Sequence, residues 1–144
     1  MIYKNSSGEN LVTNITWDES LSVEVDEIDE DHQKLVNLFN ILSHSVAEGD
    51  DADYIDAVLE ELITCTVWHF RHEERLMLLH KYDGLQEHRT EHNELIDSVK
   101  ELQQKFSEEK KALTQDEIEF LEGWLTGHIL GQDMRLGFFL MKVM

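Results

Sequence analysis

His69 and Glu73 stand four residues apart in the run Trp68-His69-Phe70-Arg71-His72-Glu73-Glu74-Arg75-Leu76-Met77. Nothing in that run breaks a helix, and its apolar residues recur at helical spacing. The imidazole and the carboxylate therefore share one face, with Cβ atoms about 5–6 Å apart. That face runs back through Thr66, Leu62, Val58 and Ile55 and forward to Met77, so it is the stripe expected to meet a core. Burying two such groups is costly unless something pairs with them. A metal ion would pair with both.

Other segments repeat the arrangement. A first helix, beginning near Asp29 with Asp29, Glu30 and Asp31 at its positive end, carries the line Leu35, Leu38, Phe39, Leu42, Val46, and His32 lies on the same stripe. The second helix, from about Asp53 to His80, holds the opening run. After a turn at Tyr82-Asp83-Gly84, a third helix places Leu85, His88, His92, Leu95, Val99, Leu102 and Phe106 at alternating steps of three and four, a packed seam with two consecutive histidines. A charged loop, Ser107 to Lys111, leads to Thr114-Gln115-Asp116-Glu117, which has the form of a capping box. The fourth helix aligns Ile118, Leu121, Leu125 and His128, and an apolar tail from Asp133 to Val143 is expected to fold back as a short terminal helix.

Gly49 is expected to end the first helix, with Asp50 or Asp51 capping the second. Residues 1–28 read as an irregular arm, loop-like at Asn5-Ser6-Ser7-Gly8, in which Trp17, Leu21, Val23, Val25 and Ile28 suggest a short strand or extended segment across the helices. The predicted fold is all-α: one domain over 1–144, with that arm on an antiparallel up-down-up-down four-helix bundle over 29–144 and a short C-terminal helix.

Composition agrees and narrows the function. A chain of 144 residues with 41% hydrophobic residues can bury a core, and the absence of proline favours long helices. Thirty-one acidic against 12 basic residues give a net charge of −19, which repels nucleic acid and anionic membrane surfaces. The single cysteine, Cys65, excludes an intramolecular disulfide and is expected to be a small core residue. The first residues lack the apolar run of a signal peptide and no stretch approaches the ~20 apolar residues of a membrane span, so the cytoplasm is the expected location. No broad exposed apolar stripe is evident, and a monomer is expected.

Each of the four helices thus brings a histidine to its inward stripe: His32, His69, His88 with His92, and His128. Glu73 and Asp133 join them. A single such histidine is usually a hydrogen-bonded core residue. Five on facing stripes of one small domain would need more partners than those stripes offer, whereas metal binds them all. Asp133 is the weak member by geometry, because five residues rotate about 140° from His128 in a regular helix. Gly131 between them would permit a local distortion. Imidazole and carboxylate donors suit iron, manganese or zinc, and seven donors are too many for one ion but suit two with bridging carboxylates. The scarcity of anionic donors argues for reversible dioxygen chemistry over substrate oxidation.

His44, His72 and His80 lie off these stripes. His72 is rotated about 60° from His69, so it is expected at the surface or rim, and its loss is expected to spare the metal content.

Asp-His-Gln-Lys-Leu at 31–35, His69-Phe-Arg-His-Glu73-Glu-Arg-Leu-Met77, His88-x-x-x-His92, and Trp124-Leu-x-x-His128-Ile with Asp133 resemble the hemerythrin family, in its single-domain bacteriohemerythrin form. Trp17 and Ser22-Val23-Glu24-Val25-Asp26 resemble its lead-in segment. The resemblance spans about residue 15 to the C-terminus and fills all seven ligand positions, Asp133 included. It implies a non-haem di-iron centre bridged by an oxo or hydroxo group. His88, His92 and His128 would hold one iron and His32 and His69 the other, with Glu73 and Asp133 bridging. The second iron would keep an open position for dioxygen.

Leu35, Phe39, Phe70 and Trp124 are candidate walls of a dry pocket there. The implied role is dioxygen storage, transport or delivery without catalysis. The alternatives are a dioxygen or redox sensor acting through a separate partner, or a di-iron enzyme of peroxidase, nitric oxide reductase or oxidase type. Two departures stand out: Tyr82-Asp83 where the family often has Tyr-Pro, and Asp31 where it often has Gln. Asp31 would add negative potential near the second iron, and neither residue is expected to touch a ligand.

Overall fold

The computed structural model describes residues 13–109 and 112–144. Among the described residues five α-helices follow one another: α1 (Asp26–Ala47), α2 (Ala52–Leu79), α3 (Leu85–Glu109), α4 (Gln115–His128) and α5 (Met134–Val143). The first four form the antiparallel bundle, with α1 against α2, α2 against α3, and α4 returning to α1. No strand occurs among the described residues.

The helix ends show why the chain turns where it does. At the end of α1, Gly49 takes φ +69°. Its N–H donates to Val46 O and the Asp50 N–H to Ser45 O, so both open carbonyls are capped. The Asp51 carboxylate accepts from the Asp53 N–H at 2.8 Å and starts α2. Lys81, at φ +56°, closes α2 by a similar wrap, with the Tyr82 N–H bonded to Met77 O at 2.9 Å. The expected capping box is present: the Glu117 N–H donates to Thr114 Oγ1 and the Thr114 N–H to Glu117 Oε1.

Packing follows the apolar stripes. Leu35, Phe39 and Leu42 of α1 are buried against Leu59 and Leu62 of α2, with Val99, Ile118, Leu121 and Leu136 closing the core. Each such side chain contributes about 1.5–3 kcal/mol relative to exposure.

The arm is extended apart from one tight turn at Glu19–Leu21, which bears out the extended alternative to a strand. Ile15 exchanges two hydrogen bonds with the Asn40 side chain, and Ser43 Oγ donates to Thr13 O at 2.6 Å. Val23 lies on α5 at Gly137, where a Cβ would stand 2.3 Å from Val23 O. Small size at 137 is what lets the arm and the last helix touch.

Several expectations are corrected. α1 begins at Asp26, so Ile28 belongs to it. Asp29 instead reaches back, accepting from Ser22 Oγ at 2.6 Å and from the Val23 N–H at 2.9 Å. The polar run Ser107–Glu109 continues α3, because charge alone does not stop a helix lacking Gly or Pro. Cys65 is only half-buried, beside Leu38 and Trp68 in a surface groove between α1 and α2, and burial raises its thiol pKa. Leu130, Phe138 and Met141 are more than half exposed along the outside of the last turn and α5, so the apolar surface is broader than expected. The N-terminal loop and leader expectations, and Lys110-Lys111, fall outside the described residues.

Candidate metal centre

Four helices deliver the site from successive turns of their inward stripes. α1 supplies His32, α2 supplies His69 and Glu73, α3 supplies His88 and His92, and α4 supplies His128, all buried. The last member needs a different device. Between α4 and α5 the backbone widens into a π turn over Ile129–Asp133. One extra residue in that turn undoes the rotation of a five-residue step, and Asp133 reaches the same side as His128. The distortion expected at Gly131 is therefore present, and Asp133 is fully buried.

The structure brings all seven predicted residues together. Glu73 Oε1 lies 3.0 Å from His92 Nε2, 3.5 Å from His88 Nε2 and 3.8 Å from His128 Nε2. Asp133 Oδ1 lies 2.9 Å from both His88 Nε2 and His128 Nε2. The other oxygens face the remaining pair. Glu73 Oε2 is 3.5 Å from His69 Nε2 and 3.9 Å from His32 Nε2, and Asp133 Oδ2 is 2.8 Å from His32 Nε2 and 4.0 Å from His69 Nε2. Two overlapping clusters result, three histidines on one side and two on the other, with both carboxylates common to them.

A test of fit comes from the hydrogen bonding. Nε2 of His32, His69, His88 and His128, Oε2 of Glu73 and both oxygens of Asp133 are buried without a hydrogen-bond partner among the described residues. Several of these nitrogen–oxygen distances are nonetheless below 3 Å. Such atoms are close but not aligned as donor and acceptor, as expected when both point at a common third atom. Leaving them unmatched costs about 1–3 kcal/mol apiece, which two divalent ions would relieve. Imidazole and carboxylate are the donor types for such ions.

In the metal-free chain the charges pair among themselves. Burial opposes protonation of His69, but the Glu73, Asp133 and Asp31 carboxylates outweigh it and push its pKa up to about 10. His88 is likewise pushed up to about 9 against its burial, by Asp133 and Glu73, and His128 is raised. Burial would raise both carboxylates, yet the facing histidines hold Asp133 and Glu73 below the usual carboxylate range.

The outward nitrogens show an order that the sequence did not reveal. Asp31 of α1 accepts from His69 Nδ1 of α2 at 2.8 Å. Glu74 of α2 accepts from His92 Nδ1 of α3 at 2.9 Å. Glu91 of α3 accepts from His128 Nδ1 of α4 at 2.9 Å. Each helix thus holds the histidine of the next. A carboxylate on Nδ1 fixes the hydrogen there and turns Nε2 inward, so that nitrogen becomes a metal donor once its own proton leaves. All three carboxylates directly adjoin a predicted site residue in sequence, namely His32, Glu73 and His92. That adjacency was the available signal, hidden among 31 acidic residues.

Two expectations are overturned here. Asp31 does touch one of the seven, because its position on α1 turns it toward α2 and His69. His72 is only 9% exposed rather than at the surface. α1 covers its face, and the Trp68 ring lies 5.4 Å from its own. His72 Nδ1 is hydrogen-bonded to Asp31 Oδ2 at 2.6 Å and Nε2 to Glu27 Oε1 at 2.8 Å. His44 is exposed and His80 lies at the rim, as expected.

Beside the site is a small cavity with about 10 Å³ of room for the centre of a water-sized molecule. His32, His69, His128 and Asp133 form its polar edge, and Leu35, Phe70, Leu95, Trp124, Leu125 and Ile129 its apolar walls. Phe39 is buried core and does not border it. Phe70 stacks on His92 at 3.7 Å between ring centroids, and Trp124 Nε1 donates to Leu95 O at 3.1 Å.

Comparison with known proteins gives a consistent result. The Hemerythrin HHE cation binding domain model matches residues 23–137. The myohemerythrin of Riftia pachyptila is 33% identical over 119 residues, covering 83% of this chain and 88% of its own. The bacteriohemerythrin of Methylococcus capsulatus is 31% identical over 109 residues, covering 76% of this chain and 82% of its own. A crystal structure of wild-type hemerythrin superposes with a TM-score of 0.79 at 30% identity, over 85% of this chain and 95% of that one.

Proposed function

Because the chain belongs to the hemerythrin family, whose members bind dioxygen at a di-iron centre, we propose that it binds dioxygen reversibly for storage, transport or delivery. The observation that carries this reading is the division of Glu73 and Asp133 between a three-histidine and a two-histidine cluster beside an apolar cavity. His88, His92 and His128 would hold one iron, His32 and His69 the other, and the two carboxylates would bridge them. Iron held by these residues would supply reversible electron donation to dioxygen.

The remaining chemistry belongs to the side chains. Asp31, Glu74 and Glu91 keep the Nδ1 hydrogens of His69, His92 and His128 in place, so each Nε2 already points inward and needs only to give up its proton to serve as a ligand. Leu35, Phe70, Trp124 and Ile129 exclude water from the cavity, which deprives a bound guest of solvent protons and favours its departure unchanged. The cavity has room for about one water-sized guest and is far smaller than the ~300 Å³ or more of ordinary small-molecule sites. That contrast favours carriage over turnover of a larger substrate.

Iron counting with optical spectra tests the proposal. Purified, reduced protein should contain about two irons per chain and be nearly colourless. It should gain a visible charge-transfer absorption in air and lose it on purging. Absence of stoichiometric iron, or an irreversible change with consumption of a reductant, would overturn the reading.

A further inference from the structure

Of the three outward carboxylates, Asp31 alone is tied to a second imidazole. Glu74, which holds His92, meets the Arg89 guanidinium at 3.2 Å, and Glu91, which holds His128, is one-third exposed. Asp31 is 8% exposed, and its Oδ2 is hydrogen-bonded to both His69 Nδ1 at 2.8 Å and His72 Nδ1 at 2.6 Å. The far nitrogen of His72 is in turn fastened to Glu27 on the rim of α1. A continuous bonded line, His69–Asp31–His72–Glu27, therefore crosses three times between α1 and α2 and ends at solvent.

We infer that Asp31 and His72 are a positioning pair for the two-histidine side of the site: Asp31 orients His69, and His72 acts through Asp31 by fixing the oxygen that His69 uses. The inference rests on the di-iron reading above and deepens it. A short aspartate has two side-chain torsions, and one oxygen serving two donors from adjacent turns of α2 has little freedom left. His69 and His72 are three residues apart, so both meet that oxygen from the same side of α2. His32 Nδ1 has no hydrogen-bond partner among the described residues. Of the two histidines on this side, His69 is thus the one held from behind, and Asp31 sets how firmly the second iron is kept.

The test is competition between protein loaded with ferrous iron and a ferrous chelator, with thermal melting of the metal-free protein alongside. Asp31→Asn keeps the size and an acceptor but removes the charge. It should release one of the two irons at ~10–100-fold lower chelator concentration and leave the other unchanged, the usual scale for losing the partner of a ligand histidine. His72→Gln should act in the same direction and more weakly. The double variant should be no looser than Asp31→Asn alone, because the hydrogen bonds of His72 lead to the site's side chains only through Asp31. Glu74→Gln combined with Asp31→Asn should by contrast loosen both irons. Additive effects of Asp31→Asn and His72→Gln, or equal weakening of both irons in step with a lowered metal-free melting temperature, would show a merely structural role and overturn the inference. A native chain holding two irons while both variants hold them as tightly overturns the inference alone. A native chain that takes up no iron overturns the di-iron reading and the inference with it.

Discussion

Glu73 and Asp133 split their oxygens in the same way. Oε1 and Oδ1 face His88 and His128, at 2.9–3.8 Å, while Oε2 and Oδ2 face His32 and His69, at 2.8–4.0 Å. They come from α2 and from the π turn, 60 residues apart in sequence, yet their four oxygens form one face for each cluster.

Neither carboxylate should therefore be dispensable to just one ion. Glu73→Gln and Asp133→Asn are each expected to lower bound iron from about two to below about one per chain, because each removes a charged donor from both clusters. Metal analysis after desalting checks this. A variant that keeps two irons, or loses one cleanly, would contradict the shared-oxygen geometry.

The metal-free protein should be destabilised by alkali. His69 and His88 have folded-state pKa values of about 10 and about 9 against an ordinary 6.5. Below about pH 6.5 both folded and unfolded chains hold those protons, and the pairing with Glu73 and Asp133 contributes in full. As pH rises from 6.5 to 10 the unfolded chain gives up its protons first, so the contribution shrinks and is lost past the folded values. Glu73 and Asp133 behave oppositely: lowered from 4.5 and 3.8, they contribute above those values and lose that contribution as pH falls through their folded values. Urea melts of metal-free protein at pH 5.5, 7.5 and 9.5 should show the midpoint falling across the series. With iron bound the alkaline fall should vanish, and acid should release the metal as imidazoles protonate. An unchanged midpoint up to pH 9.5 in metal-free protein would count against the charge pairing.

Two glycines should respond in opposite directions. Gly137→Ala drives a Cβ to 2.3 Å from Val23 O and 2.8 Å from Val23 Cβ, so the arm must lift, at a cost of about 1–3 kcal/mol. Gly123→Ala, in the middle of α4 with nothing within 4 Å of its Cβ, should gain about 0.5–1 kcal/mol from helix propensity. Thermal melts of the pair under identical metal loading distinguish them. Equal shifts would mean that the contact at Gly137 is not what seats the arm.

Lys81 carries φ +56° where α2 ends. Lys81→Gly removes the left-handed penalty, and a rise in unfolding free energy of about 1 kcal/mol is expected with no change in iron content. A loss of stability would show that the side chain matters more than its backbone angle.

The bundle and six of the seven convergent residues were legible because both obey helical period. Leu35, Leu42, Leu62 and Val99 mark inward stripes, and His32, His69, Glu73, His88, His92 and His128 fall on them. Asp133 was legible only as an exception, since the π turn that carries it has no periodic signature beyond Gly131. Asp31, Glu74 and Glu91 were not legible as partners. They point sideways into the seams between helices, where facing depends on the crossing of two helices rather than on the period of either. His72 went astray for the same reason, its rotated face being covered by α1. The start of α1 was missed because Asp29 looked like a first-turn acid while its side chain was engaged behind it, on Ser22 and Val23.

Asp133 and Gly137 are one helical turn apart at the head of α5. The aspartate belongs to the buried cluster, and the glycine carries the backbone of the arm. Two distant stretches of the polypeptide are consequently moored to a single coil of backbone, the buried cluster through Asp133 and the arm through the contact of Val23 with Gly137. Any displacement of that coil would therefore be felt at the cluster and at the arm together.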